Sequence, residues 1–245
     1  MLVLINLDTA AQRRGVMTRQ IDACGCAFER VGIDLRCVRE TEVDAQIQRC
    51  FAGLRFHRKA LSNAEIGCWL SHLSAWRRLL QEPSALSATI IEDDLTLAPG
   101  FAHAVRALEH RSSLDVIYLG TSSRNISQRR RSVINGLDVH EPLGVIYNTW
   151  GYNITRAYAA RFFAGKPGRI DLPIDHFLGG RGGKHGPSIG VLQPAVVHED
   201  PMLAAASQIG PHTHRWDRSR LFQEARRRLL ASPVSGMYYA LYRYL

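Results

Sequence analysis

Three consecutive carboxylates, Glu92-Asp93-Asp94, follow the apolar run at residues 88–91. Side by side they repel one another unless positive charge sits among them. Oxygen-rich sites suit hard divalent cations such as Mg2+ or Mn2+, which are often shared with substrate phosphates. A solvated acidic turn would carry the same triplet without a cation, and the local sequence leaves both readings open. His198, in PAVVHED at residues 194–200, follows another apolar run. It can supply a nitrogen ligand to the same cation, or serve as a structural histidine at a strand end. Asp175, in Pro173-Ile174-Asp175-His176, can take a proton from a hydroxyl as a general base. It can equally cap a helix that starts after Pro173.

A second group lies near the start of the chain. Asn6, Asp8, Arg13 and Arg14 fall where a strand should hand over to a helix. Helix N-terminal amides and arginines at such a junction favour phosphate. Ser62 stands three residues before Glu65, the spacing of a capping box. Ser71 and His72 are neighbours on one predicted helix, so their side chains diverge and make no nucleophilic pair. The sequence has no Gly-x-Ser-x-Gly elbow, no Walker A motif, and no Gly-x-Gly-x-x-Gly after its first strand. Hydrolase, kinase and dehydrogenase readings of those types lose support. A metal-dependent phosphohydrolase or nuclease remains the competing enzyme class, since acidic clusters also hold paired metals.

The elements that must position these residues follow from hydrophobic patterning. Residues 2–7 read as a first strand, and Met17, Ile21 and Cys24 mark one face of a helix after it. A second strand is expected near residues 27–31. Residues 34–60 show no clear period. Ile66, Trp69, Leu73, Trp76 and Leu80 recur at three and four residues, which predicts an amphipathic helix. Strands are expected at 88–91, 115–119 and 144–155, with shorter ones at 188–192 and 195–197. Helices are expected around 101–108 and 156–163. The Arg-rich residues 124–140 read as a loop, as does the glycine-rich stretch 165–190. Strands alternating with helices predict an α/β sheet with its chemistry at the C-terminal strand ends.

The chain has 245 residues and a formal charge of +9. Its 46% hydrophobic and 22% charged residues are those of a globular protein. One domain over residues 1–210 and a basic, aromatic tail over 211–245 are expected. No apolar run approaches the ~20 residues of a bilayer-spanning helix. The N-terminal apolar stretch precedes its arginines, the reverse of a secretory signal. The five cysteines are odd in number, and Cys24-Gly25-Cys26 has no second pair to complete a zinc site. Reduced thiols in a cytoplasmic protein are the expectation. The positive charge calls for an anionic partner, but no helix-turn-helix, zinc-finger or RNA-binding signature points to nucleic acid. In the tail, Arg226-Arg227-Arg228 precedes Tyr238, Tyr239, Tyr242 and Tyr244. That combination suits peripheral contact with an anionic bilayer at the inner face of the cytoplasmic membrane, or a helix packed on the domain.

Taken together, the segments resemble glycosyltransferase family 25, the lipooligosaccharide-type galactosyltransferases. The matching pieces occur in order: VLINLD with two arginines at residues 3–14, NAEIGCWLSHLSAW at 63–76, IIEDDLTL at 90–97 and DVIYLG at 115–120. GYNITRAYA at 151–159, LPID at 172–175 and QPAVVHEDPMLAAASQIG at 193–210 complete the set. The resemblance implies a GT-A-like single domain, a mixed, mostly parallel sheet flanked by helices, with a C-terminal helical tail. It implies a nucleotide-sugar donor, a glycan or glycolipid acceptor and an Mn2+ (or Mg2+) cofactor. The usual reaction moves galactose from UDP-galactose to bacterial lipopolysaccharide with inversion. Asp94 is then the best metal ligand, with Glu92 and His198 as further ligand candidates. Glu92 or Asp93 would hold the ribose or the metal's water shell. Asn6, Asp8, Arg13 and Glu65 would line the nucleotide-sugar site, and Asp175 would be the base. His198 stands where the family pattern commonly has Gln, and an inactive, scaffolding relative is a further possibility.

Overall fold

The structure, a computed structural model, describes residues 1–109, 113–121, 126–165 and 168–204. An eight-stranded sheet runs in the order β2-β1-β3-β8-β5-β9-β7-β6. Its strands are β1 (Leu2–Ile5), β2 (Glu29–Val31), β3 (Ser87–Ile91), β5 (Val116–Tyr118), β6 (Ile126–Ile134), β7 (Leu137–Pro142), β8 (Gly151–Thr155) and β9 (Ile189–Gln193). β1 pairs in parallel with β2 and β3, and β5 in parallel with β9. β8 runs antiparallel to both β3 and β5, and β7 antiparallel to both β9 and β6. Thus β7 and β8 oppose the direction of the other six strands, and the sheet is mixed, with three parallel and four antiparallel pairings. A separate ribbon pairs β4 (Leu95–Leu97) with β10 (Val197–Glu199).

Alternation along the strands divides the core between two layers. Val3, Ile5, Ala88, Ile90, Val116, Tyr118, Tyr152 and Ile154 join one cluster, which also takes side chains from α2 (Glu40–Cys50), α3 (Asn63–Gln81) and α5 (Arg156–Gly165). Leu2, Leu4, Ile91, Ile117 and Leu119 join the other, with α1 (Ala11–Ala23) and α4 (Phe101–Ala107). Strands covered on both faces are buried at every position, as β1 and β3 are; the two polar residues of β3, Ser87 and Thr89, both accept from the Asn153 amide. The expected stripe on α3 is buried at Ile66, Trp69, Leu73 and Trp76, and Leu80 packs at its margin. Ser62 and Glu65 form the expected capping box.

Two expectations need correction. Residues 34–60 contain α2, which buries only Val43 and Ile47. A single apolar pair on an otherwise polar helix gives no stripe to detect. Residues 124–140 are not a loop over their described part: β6 and β7 form a hairpin turned by Asn135 (φ 48°) and Gly136 (φ 84°). Both turn residues are left-handed, as a two-residue Asn-Gly hairpin requires. β7 then pairs with β9 and extends the sheet.

The remaining differences are of extent. Within 144–155 only Gly151–Thr155 is strand. The glycine-rich region contains short turns of helix, α6 (Ile174–His176), a π turn at Phe177–Arg181 and a 3-10 turn at Gly183–His185. The helix α7 (Pro201–Ala204) is the last described element. The expected tail at 211–245 lies outside the described residues. Among the described residues no helix is long and apolar enough to cross a membrane, and all five cysteines are free thiols.

Candidate active site

β3 ends at the sheet centre, and its next three residues are the carboxylates. The Glu92 N–H donates to the Trp150 carbonyl at 3.0 Å, which continues the line of β3 beside β8. The Asp94 carbonyl accepts from the Asp200 N–H at 2.8 Å, which ties the triplet to the chain after β10. Backbone pairing on both sides therefore sets the orientation of the triplet.

Positive charge comes from α1. One Arg13 Nη lies 2.7 Å from Asp93 Oδ1 and 2.8 Å from Asp94 Oδ2. Asn6, at the end of β1, donates its amide to Asp93 Oδ2 at 2.6 Å and to the Ala10 carbonyl at 3.1 Å. Asp93 is thereby occupied on both oxygens. Asp94 is occupied on one: its Oδ1 is buried and has no hydrogen-bond partner. Burial, reinforced by the Glu92 charge, pushes the Asp94 carboxyl up to about 7 against the partial relief of Arg13. Asp93 is raised as well, chiefly by burial.

Glu92 faces the other way, toward α3. It accepts a hydrogen bond from the Thr149 hydroxyl. His72 Nε2 stands 3.4 Å from Glu92 Oε1. Burial pushes the Glu92 carboxyl up, but His72, Thr149 and Arg13 more than offset it, and the group is lowered. Behind His72, its Nδ1 shares a hydrogen bond with the Tyr152 hydroxyl at 2.8 Å, and Trp76 Nε1 donates to the same oxygen at 2.9 Å. α3 thus sends a chain of buried polar contacts from Trp76 through Tyr152 to His72, which faces Glu92. Tyr152→Phe would leave a buried indole N–H and a buried imidazole nitrogen without their partner. An unmatched buried polar group costs about 1–3 kcal/mol, so roughly 2–4 kcal/mol of stability should be lost in urea unfolding. A loss under about 0.5 kcal/mol would mean that these groups find other partners.

Asp175 sits in α6, and its Oδ1 accepts the His176 N–H at 2.8 Å. Burial is the main cause that pushes its carboxyl up to about 7, and the charges on Glu92 and Glu65 add to it. That coupling places Asp175 within electrostatic reach of the triplet. Tyr147 packs edge-on against the His176 ring at 4.8 Å between centroids.

The other expected site residues are distributed differently. Asp8 is 83% exposed in its side chain and pairs with Arg30 at 2.7 Å. Arg14 approaches Asp8 only to 4.0 Å. Glu65 Oε2 accepts from the Ser62 N–H and hydroxyl at 2.8 and 2.9 Å. His198 is exposed on β10, opposite Thr96 of β4. The structure therefore brings Asn6, Arg13, Asp93 and Asp94 into one contact network, with Glu92 and Asp175 coupled to it by charge. Asp8 and His198 make their recorded contacts elsewhere, while Glu65, which caps α3, also adds its charge at Asp175. Ser71 and His72 diverge as expected: Ser71 Oγ accepts the Ile33 N–H at 2.9 Å and donates to the Gly67 carbonyl at 2.8 Å. Sequence reasoning passed over His72, Tyr152 and Thr149 as site residues. The available signal was a histidine inside an apolar stripe, since a buried polar group needs a partner.

Residues 1–178 match the profile of glycosyltransferase family 25 (LPS biosynthesis protein). The chain is 29% identical over 184 residues to a glycosyltransferase 25 family member of Drosophila pseudoobscura pseudoobscura, a match covering 72% of this chain and 29% of that protein. It is 26% identical over 185 residues to procollagen galactosyltransferase 1 of Danio rerio, covering 71% of this chain and 30% of the relative. It is 30% identical over 125 residues to the inactive glycosyltransferase 25 family member 3 of Homo sapiens, covering 49% of this chain and 20% of the relative. The chain spans under a third of the length of these curated relatives. The profile covers the first strand, the α3 motif, the carboxylate triplet and Asp175, and on that match the chain belongs to glycosyltransferase family 25.

Proposed function

We propose that this chain transfers a hexose, galactose from UDP-galactose, to a hydroxyl of a glycan acceptor, with inversion at the anomeric carbon and a divalent cation, Mn2+ or Mg2+, at Asp94. The family description supports lipopolysaccharide as the acceptor, and a relative named as a galactosyltransferase supports the sugar. The observation that carries the metal is the free, buried Asp94 Oδ1 beside an oxygen occupied by Arg13. A buried carboxylate oxygen without a partner, beside a second carboxylate, fits a hard cation. Glu92 and His198 are the other proposed ligands. When bound, the cation would neutralise charge on the departing diphosphate.

The protein groups carry the remaining chemistry. The acceptor oxygen bonds to the anomeric carbon as the sugar–diphosphate bond breaks on the opposite side. Asp175 takes the acceptor proton. Its carboxyl sits near 7, where a general base is both available and strong enough to help. Arg13 and Asn6 hold Asp93 in place at the nucleotide end. Asp8 and Glu65 complete the proposed donor site at its edge.

A thermal-shift screen of UDP-sugars, with and without Mn2+, tests this reading. UDP-galactose should raise the melting temperature only when Mn2+ is present. Stabilisation that is equal with and without metal would remove the cation from donor binding. The match to a relative named inactive favours a second reading, a donor-binding protein without turnover. Metal-dependent stabilisation by UDP-galactose, with no UDP released when acceptor glycan is added, would select it.

A further inference from the structure

We propose that Cys68, His72 and Glu92 form a second cation site, selective for a thiophilic divalent ion of the zinc class and distinct in ligand type from the carboxylates at Asp93 and Asp94. Cys68 and His72 are four residues apart on α3, which places both side chains on one face of the helix. Glu92 reaches the same point from the end of β3. One ligand atom from each lies within 4.8 Å of the other two. Tetrahedral zinc bonds of about 2.0–2.3 Å put ligand atoms roughly 3.5 Å apart, so closure takes side-chain movement on the order of 1 Å.

The second observation is His72 itself. Its ring is fully buried, and Nε2 faces Glu92 Oε1 at 3.4 Å without a well-formed hydrogen bond. That nitrogen points into the same space as the Cys68 thiol and the Glu92 carboxylate. The outer nitrogen, Nδ1, is held by Tyr152, which is itself held by Trp76. Metal-binding histidines are commonly oriented this way through their second nitrogen.

Sulfur and nitrogen donors favour zinc over Mg2+ or Mn2+, and three protein ligands leave a fourth position for water. On binding, bonds form from the metal to Cys68 Sγ, His72 Nε2 and a Glu92 oxygen. The thiol proton leaves to solvent. The imidazole binds through Nε2 as its neutral tautomer with the proton on Nδ1, facing the Tyr152 oxygen. Glu92 would then be shared between this ion and the proposed donor site, so occupancy links the two.

The site requires nothing from the glycosyl-transfer reading, and it is tested by binding alone. Zn2+ is titrated into the full chain against a chromophoric chelator. Co2+ is added separately, and the near-ultraviolet thiolate-to-cobalt absorption is recorded. The wild-type chain should take up Zn2+ and show the cobalt–thiolate band. Cys68→Ser should weaken Zn2+ binding at least tenfold and abolish the band. Absence of the band in the wild-type chain would overturn the proposal. So would a Cys68→Ser variant that binds Zn2+ within twofold of wild type. The cobalt spectrum needs no variant, so it reports even if the substitution fails to fold.

Discussion

Asp94→Ala should abolish metal-dependent glycosyl transfer, a loss of about 10^3-fold or more if it removes both the cation and its effect on the leaving diphosphate, and it should leave the fold intact. The two halves of this expectation come from the same geometry. Asp94 offers the one buried carboxylate oxygen of the triplet without a partner, so removing it takes away the proposed metal ligand. It contributes little to holding the structure, because its other oxygen shares Arg13 with Asp93 and Arg13 keeps that second partner.

The pH dependence of stability gives this prediction a sign. The Asp94 carboxyl titrates at about 7 in the folded chain against an ordinary 3.8. Between those values the folded state holds a proton that the unfolded chain has released. Stability without metal therefore falls as pH rises from about 4 to 7, and the penalty persists above 7. Asp94→Ala removes a buried charge beside Glu92 and Asp93, so its metal-free melting temperature at pH 8 should equal or exceed that of wild type. At the same pH the stabilisation by Mn2+ and UDP-galactose should disappear. Wild-type turnover together with an unchanged Mn2+ shift would remove the metal from Asp94. Lost turnover with a collapsed melting temperature would make Asp94 a structural residue instead.

How far these features were legible beforehand depended on how local their signals are. Strand β3 ends in an acidic triplet, and the apolar run before it is contiguous, so both the element and its placement at a strand end could be read. The α3 stripe and its Ser62–Glu65 cap were equally local. The hairpin at β6 and β7 was missed although Asn135-Gly136 is a strong turn signal, because the arginines around it read as solvated loop. Helix α2 was missed because only Val43 and Ile47 are buried on it. At the site, the Arg13 clamp on Asp93 and Asp94 joins residues about 80 positions apart in the chain, and no periodicity encodes such a meeting. The same holds for His72 beside Glu92 and Tyr152. There the sequence carried only an anomaly, a polar ring on an apolar face, whose meaning needed the neighbouring strands. Asp8, Glu65 and His198 show the converse. Motif position put them near the nucleotide; Asp8 pairs with Arg30 and His198 lies on the β4 ribbon, while Glu65 caps α3 with Ser62 and adds its charge at Asp175.

Asp175→Asn should lower kcat for transfer by about 10^2 to 10^4-fold, the range for loss of a positioned general base, and leave the donor's metal-dependent thermal shift unchanged. Asparagine keeps the size of the side chain and an oxygen to accept the His176 N–H, which the carboxylate accepts at 2.8 Å, so the α6 turn should survive. What it lacks is the capacity to take a proton. Only the carboxylate form can act as the base, and the group sits at about 7 because burial and the charge of Glu92 disfavour that form. Wild-type kcat should therefore fall as pH drops through about 7, and the residual rate of Asp175→Asn should lack that limb. Asp175→Glu, which restores a carboxylate with one added methylene, should recover part of kcat together with the pH limb. A purely structural role would give a different pattern, with the donor shift weakened and the pH profile of the remaining activity retained. Normal transfer by Asp175→Asn would exclude Asp175 as the base. The acceptor proton would then have to leave by another group at the same face, and Glu92, whose carboxyl is lowered rather than raised, is the weaker base of the two.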